Sequence, residues 1–312
     1  MILVWILIVI AVLFAVFIGL LSYFFLVAFV KQNLGDMEDM NSPVNIPLSE
    51  YKDVIADGIK YTNSHPYKLV DTVSFDGLKL VARYYSNKSD ITVILFHGYR
   101  SSAVRDFSCA IKMYMDKGYN VLLCDQRSHG LSEGKLITFG VKESRDVLAW
   151  VEVATERFGA EKVILSGMSM GASTVLLSCK HGLPDTVKAI IADCGFTSPV
   201  DIMKKVAKNN LKINARPFLP FLNIFCRIFG GFSIYKADTA SAIKDCDVPI
   251  LFIHGKCDEL VPCEMTEASF KSANEKSKLV MIDGARHGLS FLVDRETVEK
   301  ELFDFIEKYT AD

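Results

Sequence analysis

The chain has 312 residues, half of them apolar, with 35 Lys and Arg against 37 Asp and Glu for a net charge of −2. Near-neutrality supplies no basic face for nucleic acid, and the composition excludes a disordered or collagen-like chain. The positive mean hydropathy is concentrated at the front. Residues 1–30 carry no charge, and only Gly19 and Ser22 interrupt their apolar run. Without this segment the apolar share falls to about 45%, ordinary for a globular domain, which excludes a polytopic membrane protein.

Thirty residues in a helix at about 1.5 Å each exceed a hydrocarbon core of about 30 Å. Residues 1–30 are therefore expected to form a single-pass, N-terminal transmembrane anchor. A cleaved signal peptide is the alternative. Against it stand the absence of Lys or Arg before the run, its length, and the lack of an A-x-A-like site after it. The side of the membrane facing the remaining domain stays undecided. Only Lys31 flanks the run closely. Eight cysteines, with Cys124, Cys194 and Cys246 in or beside apolar stretches, suit a reducing compartment, whereas a very short N-terminal tail favours the outward orientation. No C-x-x-C pair occurs, so neither a metal site nor a thioredoxin-type site is expected.

Residues 31–66 read as a polar stalk or linker with an amphipathic helix near 49–62. Next come strand patterns at 69–75 and 78–85, flanking Asp76-Gly77, the dipeptide favoured by a two-residue hairpin turn. Nearly continuous β-branched runs follow at 91–96, 120–124, 162–165, 189–192, 248–253 and 278–282, as strands buried on both faces require. Helical patterns at 104–117, 141–158, 172–180, 263–274 and 295–309 alternate with them. This alternation predicts an α/β domain over 67–312, with a mostly parallel sheet flanked by helices. Residues 197–243 break the rhythm with a helical insertion rich in Phe, including Phe218, Phe221, Phe225 and Phe229.

The sharpest chemical signal is Gly167-Met168-Ser169-Met170-Gly171, directly after one strand and directly before a helix. A serine on such a turn needs small residues two positions either side, because the backbone there is crowded. The following helix N-terminus favours developing negative charge. Serine needs a base, and the base needs an orienting acid. His287 follows the last strand and Asp258 the one before it, placing both at the carboxyl edge of the sheet. Glu259 and Asp193 are rival acids. His97 and His129 are expected to shape loops, His254 to orient the acid turn, His65 to sit in the stalk, and His181 to be exposed. Two N–H donors for an oxyanion are expected from Met170, after the serine, and Tyr99, in the loop after 91–96.

The segments LFHGYRSS, CDQRSHGLSEG, SGMSMGAST, FIHGKCDELVP and GARHG, in this order, resemble the α/β-hydrolase superfamily over about residues 67–310. They are most similar to its membrane-anchored bacterial serine hydrolases of the serine-aminopeptidase-like and acyl-thioesterase-like branch. The resemblance implies a catalytic triad of Ser169, Asp258 and His287, with Tyr99 and Met170 as oxyanion donors and no cofactor. It also implies a structural loop around Asp125 and Arg127, and a cap at 197–243 over the site. Met168 departs from the polar residue that many esterases carry beside the nucleophile. The cap phenylalanines have two readings: packing the cap onto the body, or lining an acyl pocket or touching the bilayer. The expected activity is cleavage of carboxylic ester or thioester bonds of a small-molecule or lipid-like acyl substrate. A peptidase, with a free amine held by Glu133, Asp193 or Glu259, an acyltransferase and a non-catalytic membrane-bound binding protein are the alternatives.

Overall fold

The computed structural model describes residues 1–33, 35–42 and 48–311. Eight strands form one sheet: β1 (Lys68–Val73), β2 (Lys79–Tyr85), β3 (Ile91–Phe96), β4 (Asn120–Asp125), β5 (Lys162–Met168), β6 (Val187–Asp193), β7 (Ile250–Gly255) and β8 (Lys278–Ile282). Their order is β1-β2-β4-β3-β5-β6-β7-β8. The β1–β2 and β2–β4 pairs are antiparallel, and every later pair is parallel. The central strands are buried on both faces, which is why their sequences read as unbroken apolar runs rather than alternating ones.

Helices cover both faces. On one side α2 (Lys52–Ser64), α3 (Ala103–Asp116) and the C-terminal helix Arg295–Thr310 bury Ile59, Phe107, Ile111, Phe303 and Ile306. On the other, α4 (Glu143–Glu152) and α5 (Met170–Ser178) bury Val147, Trp150, Val175 and Leu176. A Cβ on Gly58 of α2 would lie 2.7 Å from the Ser108 carbonyl oxygen. The second half of the expected stalk is thus packed against the body, ahead of residue 67.

The first hairpin differs from the expected two-residue turn. Gly77 N–H donates to Ser74 O and Ser74 N–H to Leu78 O, closing a three-residue loop with Gly77 at φ 86°. This frees the Asp76 carboxylate to receive both terminal nitrogens of buried Arg127 at 3.0 Å. Arg127 is also held by Asp146 at 2.6 Å, while Asp125 accepts from Leu131 N–H, so the 125–134 loop is a structural brace.

Helix α1 (Ile2–Phe29) is long and apolar enough to cross a membrane. Its first half projects from the body, and its last turns dock: Leu21, Phe25 and Phe29 are buried. Ile137 N–H donates to Phe29 O at 2.7 Å, and Val30 bridges Leu136. The insertion after β6 contains α6 (Pro199–Val206), α7 (Leu219–Phe225) and α8 (Thr239–Ile243). Its inner residues Leu219, Leu222, Cys226 and Phe232 share one cluster with Phe25, Phe29 and Met170.

Candidate active site

The turn from β5 into α5 places Ser169 at φ 55° and ψ −112°, a conformation that side-chain-bearing residues rarely adopt. The two glycines explain how the backbone reaches it. A Cβ on Gly171 would sit 1.8 Å from the Phe96 carbonyl oxygen, and one on Gly167 would sit 2.3 Å from the Gly171 backbone. The Ser169 N–H is fixed by Asp193 O at 2.8 Å, which leaves the hydroxyl free to leave the strand line.

His287 and Asp258 arrive from the carboxyl ends of β8 and β7. His287 Nε2 lies 2.9 Å from Ser169 Oγ, and its Nδ1 lies 2.6 Å from Asp258 Oδ2. With Asp258 ionised, Nδ1 carries the proton, and Nε2 is left to accept from the serine hydroxyl. The acid turn is stitched to the histidine turn by Cys257 N–H donating to Ala285 O. Asp258 is fully engaged: Oδ1 accepts from the Leu260 and Val261 amides, and Oδ2 also accepts from His254 Nε2 at 3.1 Å. Burial would raise this carboxyl, yet the hydrogen bonds from His254 and His287 bring it down to about 2.

The rival acids are placed elsewhere. Glu259 is exposed, while Asp193 faces the cavity and accepts from Ser290 Oγ at 3.3 Å. Burial raises Asp193 to about 6, against the lowering influence of His254 and His287. His254 orients the acid turn as expected, donating from Nε2 to Val261 O as well as to Asp258. His65 stacks near Tyr61 and Tyr85, and His181 is half-buried against Ser144 rather than exposed.

The loop after β3 that carries Tyr99 is pinned by two buried imidazoles, His97 and His129, which meet edge-on at 4.6 Å. His97 Nε2 accepts from Gln126 N–H and His129 Nε2 from Arg100 N–H, so each ring donates from Nδ1, to Gly98 O and Arg127 O respectively. Burial lowers both rings, His129 to about 3, keeping them neutral. Gly98 N–H donates to Asp106 Oδ2 at 2.8 Å. The amides on either side of Tyr99 are therefore occupied. Neither Tyr99 N–H nor Met170 N–H has an acceptor among the described residues. Two free amides beside a nucleophile-type serine are the arrangement that receives developing negative charge. Nothing in the local sequence flags Asp106, which reads as an ordinary first-turn acid of α3. The pairing of His129 with Arg100 spans 29 residues and is equally silent there.

A cavity of about 440 Å³ opens beside Ser169 and His287. Its walls include Phe107, Met168, Leu289, Phe291 and Leu292, from α3, the serine turn and the segment after His287. None of the four cap phenylalanines lines it, so of the readings open for them the acyl-pocket one is not met. They meet α1 instead: Phe17 lies 5.1 Å from Phe221 and 6.5 Å from Phe218, and Phe25 lies 6.3 Å from Phe225 and 6.1 Å from Phe229. The sequence pattern marks these faces as apolar but does not say what covers them.

Residues 87–218 match the family model of the serine aminopeptidases, S33. The uncharacterized protein YqkD of Bacillus subtilis is 27% identical over 217 residues, covering 69% of this chain and 71% of its own. The bifunctional esterase/perhydrolase DCH of Acinetobacter calcoaceticus is 22% identical, covering 74% of this chain and 97% of its own. Among solved structures, the Pyrococcus furiosus esterase Pf2001 superposes with a TM-score of 0.65 at 26% identity, covering 80% of this chain and 94% of that one. The chain has the α/β-hydrolase fold and is similar to hydrolases of that superfamily.

Proposed function

We propose that the protein is a membrane-anchored serine hydrolase of carboxylic ester or thioester bonds. The observation that carries this reading is the unbroken hydrogen-bond chain from Asp258 through His287 to Ser169, at 2.6 and 2.9 Å. His287 takes the hydroxyl proton as Ser169 Oγ attacks the acyl carbonyl, and the resulting oxyanion is received by Tyr99 and Met170 N–H. Collapse transfers the proton from His287 to the leaving alcohol or thiol and leaves an acyl-enzyme. Water, deprotonated by the same imidazole, then releases the acid. Asp258 holds the tautomer and stabilises the imidazolium. Residues 1–30 are the anchor, which supplies the membrane association.

The apolar cavity walls favour an acyl substrate that is itself apolar or lipid-like. The esterase relatives point the same way. The family match to serine aminopeptidases favours a second reading, release of an N-terminal residue, which needs an acidic cradle for the amine. Of Glu133, Asp193 and Glu259, only Asp193 lines the cavity.

A panel of p-nitrophenyl esters of rising chain length, run beside aminoacyl-naphthylamides, separates the two. Faster turnover of the esters is expected. Faster turnover of the amides would transfer the assignment to the peptidase reading.

A further inference from the structure

The cap carries a surface that the proposed chemistry does not use. Along 218–229 the side chains of Phe218, Phe221, Ile224, Ile228 and Phe229 are all exposed, the last two to 69% and 64%. They lie along α7 and the helical turn that continues it to Gly230, whose buried residues include Leu219, Leu222 and Cys226. An exposed apolar band of this size on a soluble domain marks an interaction surface.

Charge selects the partner. Residues 197–243 hold seven Lys and Arg against two Asp, in a chain whose net charge is −2. Lys208, Lys212, Arg216 and Arg227 are exposed, and none forms an ion pair among the described residues. Lys212 and Arg216 lie immediately before the apolar band, interleaved with exposed Leu211 and Ile213. Basic side chains alternating with Phe, Leu and Ile are the composition of segments that lie in an anionic bilayer surface.

Geometry places this surface at the right height. The Phe contacts run in register, Phe17 with Phe218 and Phe221, then Phe25 with Phe225 and Phe229, so α7 follows the docked half of α1. A hydrocarbon core of about 30 Å takes about twenty residues of helix, which from Ile2 reaches Leu21. Phe17 then lies about 6 Å inside that boundary, within the depth of roughly 5–10 Å reached by interfacial helices. Lys212 and Arg216 have stems long enough to return their charges to the headgroups.

We infer that the cap is a second membrane contact. Its Leu211–Phe229 face inserts beside α1 into the same bilayer, and Lys208, Lys212 and Arg216 bind anionic phospholipid headgroups. The inference rests on the anchor reading of α1.

The test uses the full chain in nanodiscs, made from phosphatidylcholine alone or with phosphatidylglycerol. The photo-crosslinker benzoylphenylalanine replaces Ile8, Phe221 or Leu69 in separate variants, Leu69 being an exposed residue of edge strand β1. Expected are phospholipid adducts at Ile8 in both discs, none at Leu69, and adducts at Phe221 at least about fivefold stronger in the anionic discs. The triple variant Lys208→Glu, Lys212→Glu, Arg216→Glu should abolish that enhancement while retaining fluorophosphonate labelling, which shows that it is folded. Adducts at Ile8 without any at Phe221 overturn the cap contact and leave the anchor standing. Absence of adducts at both positions removes the anchor and the cap contact together. Adducts at Phe221 that join two chains, seen at twice the chain mass, assign the face to a second copy, and lipid adducts indifferent to lipid charge overturn the headgroup assignment.

Discussion

The hydroxyl of Tyr99 donates a 2.8 Å hydrogen bond to the carbonyl of Ala28, in the last turn of α1. The backbone amide of the same tyrosine is the proposed oxyanion donor. Beside it the Arg100 guanidinium donates to the carbonyls of Val27 and Val30. The Tyr99 ring stacks on Phe139 at 4.8 Å, and Phe29 meets the same phenylalanine edge-on. The end of the N-terminal helix, left with unpaired carbonyls like any helix end, is capped by the loop that shapes the site.

Tyr99→Phe removes that bond and keeps the ring. A hydrogen bond of this kind contributes about 0.5–1.5 kcal/mol, so kcat should fall by roughly two- to tenfold with KM little changed. Steady-state kinetics on one ester decide it. A fall confined to KM would mean that the tyrosine acts on substrate binding rather than on the loop.

Phe29→Ala opens a cavity where a fully buried ring joins helix, cap and body. The expected loss is about 3–5 kcal/mol, read as a lowered denaturant midpoint. Loss of less than about 1 kcal/mol would show that α1 is not docked as described.

The glycines at the serine turn are expected to be intolerant. Gly171→Ala must move the Phe96 carbonyl or the turn itself, because no Cβ fits 1.8 Å from an oxygen. Soluble yield and labelling of Ser169 should both collapse. Wild-type labelling in this variant would contradict the close packing of α5 against β3.

Asp258 carries the acid-side pH dependence. Its folded carboxyl, near 2, lies below the unfolded value of about 3.9. Its contribution is therefore full above about pH 4 and is lost as pH falls towards 2. Replacing His254 by Leu removes one donor, which raises this carboxyl and moves the acid limb of stability upward. An unchanged acid limb, followed by circular dichroism, would show that His254 does not hold the acid.

Chain-length preference should follow the cavity rather than the cap. Leu292→Trp shortens the space beside Ser169 and should shift p-nitrophenyl ester preference towards short acyl chains, whereas Phe221→Ala should leave the ranking of soluble esters alone. The reverse pattern would return the acyl pocket to the cap.

The sheet was legible because each central strand is buried twice, so Ile91–Phe96 and Ile250–Gly255 announce themselves as apolar runs. Ser169, Asp258 and His287 were legible because each follows a strand at the same edge, and turn residues mark the place. What stayed hidden depends on distant partners. Tyr99 and Ala28 are 71 residues apart, and Arg127 and Asp76 are 51 apart. No local period encodes such pairs. The Asp76-Gly77 turn shows the same limit: a dipeptide suited to a two-residue loop adopts a longer one that presents Asp76 to Arg127. Periodicity likewise exposed the cap's apolar faces while leaving their occupant to the structure.

In the proposed reaction Ser169 is the nucleophile and His287 activates it. Labelling with a fluorophosphonate probe tests this directly, followed by mass spectrometry of the labelled peptide. Stoichiometric modification at Ser169 is expected in the wild type, with none in Ser169→Ala and at least about 10³-fold slower labelling in His287→Ala. A wild-type protein that resists the probe, or a Ser169→Ala variant that labels equally, would contradict it.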